Sequence, residues 1–164
     1  MVNQQSGLAR DVRQSKTFAS LSEQAALGLL ITADVIRRFF EGVFEGVSLT
    51  SQQYNVLRIL RGAGADGLPT LEIANRMIEK RPGITRMIDR LETKGLVRRV
   101  RGSDDRRCVY CFITPDGARL IARLDEPLRR AQHEVLAMVS EKQQRKLIEL
   151  LDSIRAGHDA RMSG

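Results

Sequence analysis

Residues 80–114 read KRPGITRMIDRLETKGLVRRVRGSDDRRCVYCFIT, the pattern of a helix followed by a charged hairpin. Ile84, Met87, Ile88 and Leu91 fall at i, i+3, i+4 and i+7, so they form one apolar stripe. Arg86 and Arg90 are four apart on a different face, with Thr85 and Asp89 beside them. One side of this helix is built to pack while the other offers guanidinium groups. Gly95 stops the helix, and Lys94 in its last turn suits the dipole. Two short runs, residues 96–101 and 108–114, then flank the polar turn at 102–107. That arrangement predicts an antiparallel hairpin with a charged tip.

The charge is concentrated in the same stretch. Residues 80–107 hold ten basic and four acidic side chains, a local net of +6 against +7 for all 164 residues. A solvated face usually mixes its signs. A block of this density points to phosphate, because each neutralised phosphate releases condensed counterions.

Composition narrows the rest. A length of 164 residues suits one domain, or a small domain with helical extensions. The 42% apolar content is ordinary for a globular chain and speaks against global disorder. The opening Val2-Asn3-Gln4-Gln5 is polar and reads as no secretory signal, and the longest nearly apolar run, residues 25–33, is too short to span a bilayer. The expectation is a cytoplasmic protein with no membrane partner. Two cysteines are too few for a disulfide scaffold. No glycine-rich phosphate loop, metal cluster or nucleophile–base pairing is visible, so neither an enzyme nor a cofactor or metal is expected.

Working outward, residues 18–44 have a helical pattern. Leu29, Ile36, Phe40 and Val43 share a stripe, with Ile31, Val35 and Phe39 crowded beside it. This is more apolar surface than a lone surface helix needs. It fits a buried core helix or a helix shared with another subunit equally well. Gly42, Gly46 and Ser48 break it. Thr50 and Gln53 form a capping box for a second helix, with Leu49 and Tyr54 as its staple and Val56, Leu57, Ile59 and Leu60 inward. Thr70 reads as the N-cap of a short helix over 71–78, and Pro82 as the first turn of the next one.

Beyond the hairpin, Thr114-Pro115-Asp116 is a helix start, with a helix to about residue 139 that Pro127 should kink or interrupt. Ser140 and Gln143 cap a last helix bearing Leu147, Ile148, Leu150, Leu151 and Ile154.

Together these elements predict a mainly α (α+β) fold: a winged helix-turn-helix with a small antiparallel β-wing between flanking N- and C-terminal dimerisation helices. The expected division is a polar arm at 1–17, an N-terminal dimerisation helix at 18–48, and a DNA-binding domain at 49–114. C-terminal dimerisation helices follow at 115–156, then a polar tail at 157–164. A symmetric dimer would present two recognition helices to a pseudo-palindrome in double-stranded DNA.

These residues resemble the MarR (multiple antibiotic resistance) family of winged-helix transcriptional regulators. The likeness runs from about Phe18 to Ile154. It is densest in Leu49-Thr50-x-x-Gln53 and in Arg81-Pro82-Gly83-Ile84-Thr85-Arg86-Met87-Ile88-Asp89-Arg90-Leu91-Glu92-x-Lys94-Gly95-Leu96-Val97-x-Arg99. It returns in Asp105-x-Arg107 and Thr114-Pro115-x-Gly117. The resemblance implies an obligate homodimer, usually a repressor, released by a small aromatic or phenolic effector or by cysteine oxidation.

By position, the resemblance makes residues 82–93 the recognition helix, with Arg81, Pro82, Thr85, Arg86 and Arg90 as DNA contacts. It makes Arg107 the wing-tip arginine of the minor groove, Asp105 the acid that holds it, and Arg106 a phosphate contact. Effectors of the family often bind between the dimer helices and the winged domain. Phe39, Phe40, Phe44 and His133 are therefore candidate ligand-lining residues beside their plainer reading as packing or interface residues.

Two features depart from the family pattern. The outward side of the second wing strand, Cys108, Tyr110 and Phe112, is unusually apolar, and redox-sensing members carry an N-terminal cysteine that this chain lacks. Cys108 and Cys111 sit three apart on a strand and so face opposite ways, a poor disulfide or metal pair. An exposed Cys108 beside Arg106 and Arg107 gives a secondary alternative, a thiol-based redox-responsive regulator. A further alternative is a winged-helix protein-interaction or RNA-binding module, which predicts neither dimer nor palindrome.

Overall fold

A computed structural model describes Leu8 and residues 18–79, 83–102 and 108–162, with side chains described as far as residue 157 of the last helix. Six helices and three short strands follow in chain order among the described residues: α1 Leu21–Phe44, α2 Ser51–Ala63, β1 Leu68–Pro69, α3 Thr70–Arg76, α4 Ile84–Thr93, β2 Val97–Arg101, β3 Val109–Ile113, α5 Pro115–Val135 and α6 Glu141–Met162.

Local chemistry sets most of these boundaries. The helix expected from residue 18 begins at Leu21, because Ser20 Oγ accepts the Glu23 amide at 3.0 Å and caps it. Phe18 is left before the helix and buried. Gly42 stays inside α1; the break comes after it, in the 3-10 turn Glu45–Val47 and at Ser48 with φ 53°. At α2 the capping box is complete: Thr50 Oγ1 accepts the Gln53 amide at 3.1 Å, and Gln53 Oε1 accepts the Thr50 amide at 3.2 Å. Thr114 Oγ1 caps α5 through the Gly117 amide at 3.0 Å, with Pro115 in the first turn.

Four expectations need correction. Thr70 is not an N-cap: α3 starts at Thr70 itself after Pro69, and the Thr70 hydroxyl lies 3.7 Å from Cys111 Sγ. A third strand, β1, sits where a loop was expected and pairs Leu68 with Cys111 and Pro69 with Tyr110, giving the order β1-β3-β2. A proline is tolerated there because β1 is an edge strand. α5 runs through Pro127 without interruption and ends at Val135, and α6 continues past Gly157 to Met162. Finally, α4 begins at Ile84 after the N-cap Gly83, so Pro82 precedes the helix and lies outside the described residues.

The core is the meeting of α2, α3, α4, the sheet and the first half of α5. Val56, Leu57, Leu60, Ile73, Leu91, Cys111 and Ile121 have no exposed surface. Burying a side chain of this size contributes about 1.5–3 kcal/mol. Arg61 of α2 clamps Asp125 of α5 with two hydrogen bonds, at 2.8 and 3.0 Å. Gly117 is required by close approach, since a Cβ there would overlap the Leu96 carbonyl.

Helices α1 and α6 differ from the rest. Phe44 is the one buried residue of α1, and Leu30, Val35 and Phe39 are exposed. α1 is therefore not a core helix of this chain. α6 packs extensively on no other described element and exposes Leu147, Ile148, Leu150 and Ile154. No helix among the described residues is long and apolar enough to cross a membrane.

Candidate nucleic-acid interface

α3 and α4 form a helix-turn-helix, and the β2–β3 hairpin stands beside it. α4 has two chemically distinct sides. Ile88 and Leu91 are buried, and Ile84 and Met87 pack against the same core. Thr85, Arg86 and Arg90 are exposed on the other side. Neither arginine has an ion-pair partner among the described residues. Among the described residues no side chain caps the α4 N-terminus, where Gly83 holds φ 109°. A helix N-terminus in that state favours an anion such as phosphate.

The C-terminus of α4 is fixed in place. Gly95, at φ 71°, lets the chain close a Schellman motif in which the Gly95 amide donates to the Glu92 carbonyl at 2.8 Å and the Leu96 amide to the Leu91 carbonyl at 2.9 Å. Thr114 Oγ1 donates to the Gly95 carbonyl at 2.7 Å, and Lys94 Nζ donates to the Ser48 carbonyl.

The wing is tied to the same helix by Arg99, a residue that the sequence reading placed in the family-like stretch without giving it a role. Its Nη1 reaches Asp89 at 2.7 Å and its Nε donates to Glu92 Oε2 at 2.8 Å. The hydrogen bond from Arg99, ahead of its charge, holds the Glu92 carboxyl below the usual carboxylate range. Arg99 is thereby committed to structure, unlike Arg86 and Arg90. The only sequence signal was an acid seven residues earlier, which no helix or strand periodicity pairs with it.

On the outer face of the sheet, Arg98 lies over the Phe112 ring, 4.2 Å from its centroid. Val100 pairs with Tyr110 beside it. The apolar outer face of β3 is thus partly covered by its own neighbours. Cys108 is half-buried and Cys111 buried, both as free thiols. Burial pushes the Cys111 thiol up, with the Thr70 hydrogen bond opposing it. Arg81, Pro82, Asp105, Arg106 and Arg107 lie outside the described residues.

A cleft of about 490 Å³ opens between α1, α2, the segment after α3, and α5. Ile36, Phe40, Phe44, Tyr54, Met77 and Leu128 give it apolar walls, and Arg37, Arg58 and Glu79 charge its rim. Phe44 and Tyr54 pack with their rings tilted by 39° and their centroids 5.2 Å apart. Burial, then the charge of Asp125, raises the Tyr54 pKa. Of the four candidate ligand-lining residues, the structure brings Phe40 and Phe44 into this cleft. Phe39 and His133 are exposed and do not line it. Among the described residues no group of three or more His, Cys, Asp or Glu is arranged to hold a metal ion.

Residues 49–109 match the model of the MarR family. A solved MarR transcription factor from Planctomyces limnophilus is 38% identical, with a TM-score of 0.65 over 83% of this chain and 98% of that one. The HTH-type transcriptional regulator FarR of Neisseria gonorrhoeae is 27% identical across 82% of this chain and 90% of its own length. The homoprotocatechuate degradative operon repressor of Escherichia coli is 26% identical across 83% of this chain and 90% of its own. A helix-turn-helix with an exposed arginine face, a β-hairpin packed against it, and relatives of this kind over most of the length lead to one conclusion: the chain belongs to the MarR family of winged-helix transcription regulators and is a DNA-binding regulator.

Proposed function

We propose that the protein is a homodimeric repressor that binds a pseudo-palindromic operator and releases it when a small aromatic effector enters the cleft. The observation that carries the DNA reading is the division of α4, with Ile88 and Leu91 buried and Thr85, Arg86 and Arg90 exposed. In a major groove, an arginine that grips guanine O6 and N7 contributes ~1–3 kcal/mol of discrimination. Arg81 and Pro82, just before α4 in the chain, are further contacts on this reading. Arg106 contacts phosphate, and Arg107 enters the minor groove with Asp105 orienting it.

The exposed apolar rows of α1 and α6 support the dimer, because a second copy of the same two helices would cover them. The apolar, aromatic-walled cleft beside α1 supports the effector. The role as repressor is supported by the relative that represses a degradative operon. The protein acts in the cytoplasm, without catalysing a reaction.

Footprinting on the intergenic DNA that flanks its own gene tests this reading. Two protected half-sites related by a dyad, ~34–36 Å apart, are expected. Protection of a single half-site by a monomer contradicts it.

A further inference from the structure

The exposed face of α4 is not uniformly basic. Asp89 stands four residues after Thr85 and three after Arg86, so helix phase puts its carboxylate among the side chains proposed to meet DNA. The Asp89 side chain is about half exposed. A carboxylate at that place opposes DNA binding in two ways. It repels the phosphates, and it offers Arg86 a partner within the helix in place of a base.

Pairing of the second kind is common in this chain. Opposite charges three apart pair on α1, α5 and α6: Asp34 with Arg37 at 2.9 Å, Glu126 with Arg129 at 2.8 Å, and Lys146 with Glu149 at 2.9 Å. The last of these has the same order as Arg86 and Asp89, cation before acid. Arg86 nevertheless has no ion-pair partner among the described residues. Asp89 is held instead by Nη1 of Arg99, on β2, at 2.7 Å. The guanidinium fork makes this possible: Nε and Nη2 of Arg99 go to Glu92, which leaves Nη1 for Asp89.

We propose that Arg99 is a positioning residue for operator recognition: it neutralises Asp89 and thereby leaves Arg86 free to grip a base. Arg99 does this from the wing strand, without touching DNA itself. The proposal rests on the reading of α4 as the base-contacting helix. Glu92 serves as the anchor that aims the fork, and it lies at the border of the buried face of α4 rather than among the exposed arginines.

The test measures binding of full-length protein to the duplex it selects from a random pool, across a salt series. Arg99→Ala is expected to weaken binding about threefold to fivefold, the range of a partly exposed charge pair. Adding Asp89→Asn to that variant is expected to bring affinity back to within about twofold of the wild type. Adding Glu92→Gln instead gives the same net charge and is expected to restore little, because Asp89 stays uncovered. The same series on Arg99→Gln, which keeps the side-chain stem, guards against misfolding of the alanine variant. Unchanged binding by Arg99→Ala overturns the shielding. Equal rescue by both second substitutions shows net charge alone and also overturns it. A loosened wing is common to both double variants, so absence of rescue by Asp89→Asn assigns the loss to the wing. Absence of rescue with a salt slope shallower by about one phosphate makes Arg99 a direct contact. Either result overturns the shielding and leaves the α4 reading intact. Arg86→Ala in the wild-type background judges that reading separately: if it loses no operator affinity, the base-contacting role of α4 falls and the shielding falls with it.

Discussion

Arg99 holds Glu92 through three bonds at once: its Nε and Nη2 donate to Oε2, at 2.8 and 2.5 Å, and its backbone N–H donates to Oε1 at 3.1 Å. The pair joins the first wing strand to the last turn of the recognition helix, so side chains as well as backbone tie the two elements together. Both side chains are about one-third exposed, and water screens the pair. Arg99→Ala or Glu92→Gln should cost about 1 kcal/mol of stability, read by urea denaturation at pH 7.

Acid should remove that difference. The folded-state pKa of Glu92 is lowered, first by the Arg99 hydrogen bond, so its contribution is complete above the unfolded-state value. It fades as pH falls through the lower folded value. The stability gap between wild type and Glu92→Gln is expected to shrink between pH 7 and pH 3. A gap that persists at pH 3 would mean that charge is not what Glu92 supplies.

Arg86→Ala and Arg90→Ala should each cost ~1–3 kcal/mol on the selected operator if they read bases. Binding to scrambled DNA should change far less. Equal losses on both duplexes would assign the two arginines to phosphate instead, and the salt dependence of binding would become shallower.

Arg107→Ala is expected to weaken operator binding while leaving the oligomeric state unchanged in sedimentation. Normal binding by that variant across a salt titration would remove Arg107 from the proposed minor-groove role.

Charge placed on the exposed row of α6 should separate the subunits. Leu150→Glu with Ile154→Glu is expected to shift the protein to monomer in sedimentation velocity and to reduce operator affinity sharply. The chain's own core should survive, because neither residue is buried within it.

Native protein should expose at most one reactive thiol. Cys111 is fully buried and its pKa is raised by that burial, so a thiol reagent should reach it only after unfolding. Hydrogen peroxide that abolishes DNA binding of the wild type, but not of Cys108→Ser, would favour the redox alternative.

Much of the fold was legible because its signals are local. The stripe of Ile84, Met87, Ile88 and Leu91, the Thr50–Gln53 box and the Thr114-Pro115 start each lie within a few residues, and the structure contains all three. β1 was not legible. Its two residues have no periodicity, and Leu68 finds its partner Cys111 43 positions away. Thr70 looked like a cap because its neighbours are helical, yet its hydroxyl is turned to the Cys111 thiol. Of the proposed DNA contacts, Thr85, Arg86 and Arg90 could be placed from helix phase alone.

The cleft was half visible. Phe40 and Phe44 share a side of α1, whereas Phe39 turns away to solvent. Arg37 meets Glu79 across α1 and the segment after α3, a contact that no spacing rule pairs.

The most direct test of the central claim is a salt titration of binding to the DNA flanking the protein's own gene, against the same DNA scrambled. A preference for the native sequence that persists at moderate salt, and that falls in Arg86→Ala, is the predicted result. Equal affinity for both duplexes, lost together as salt rises, would show phosphate attraction alone and contradict sequence-specific recognition by α4.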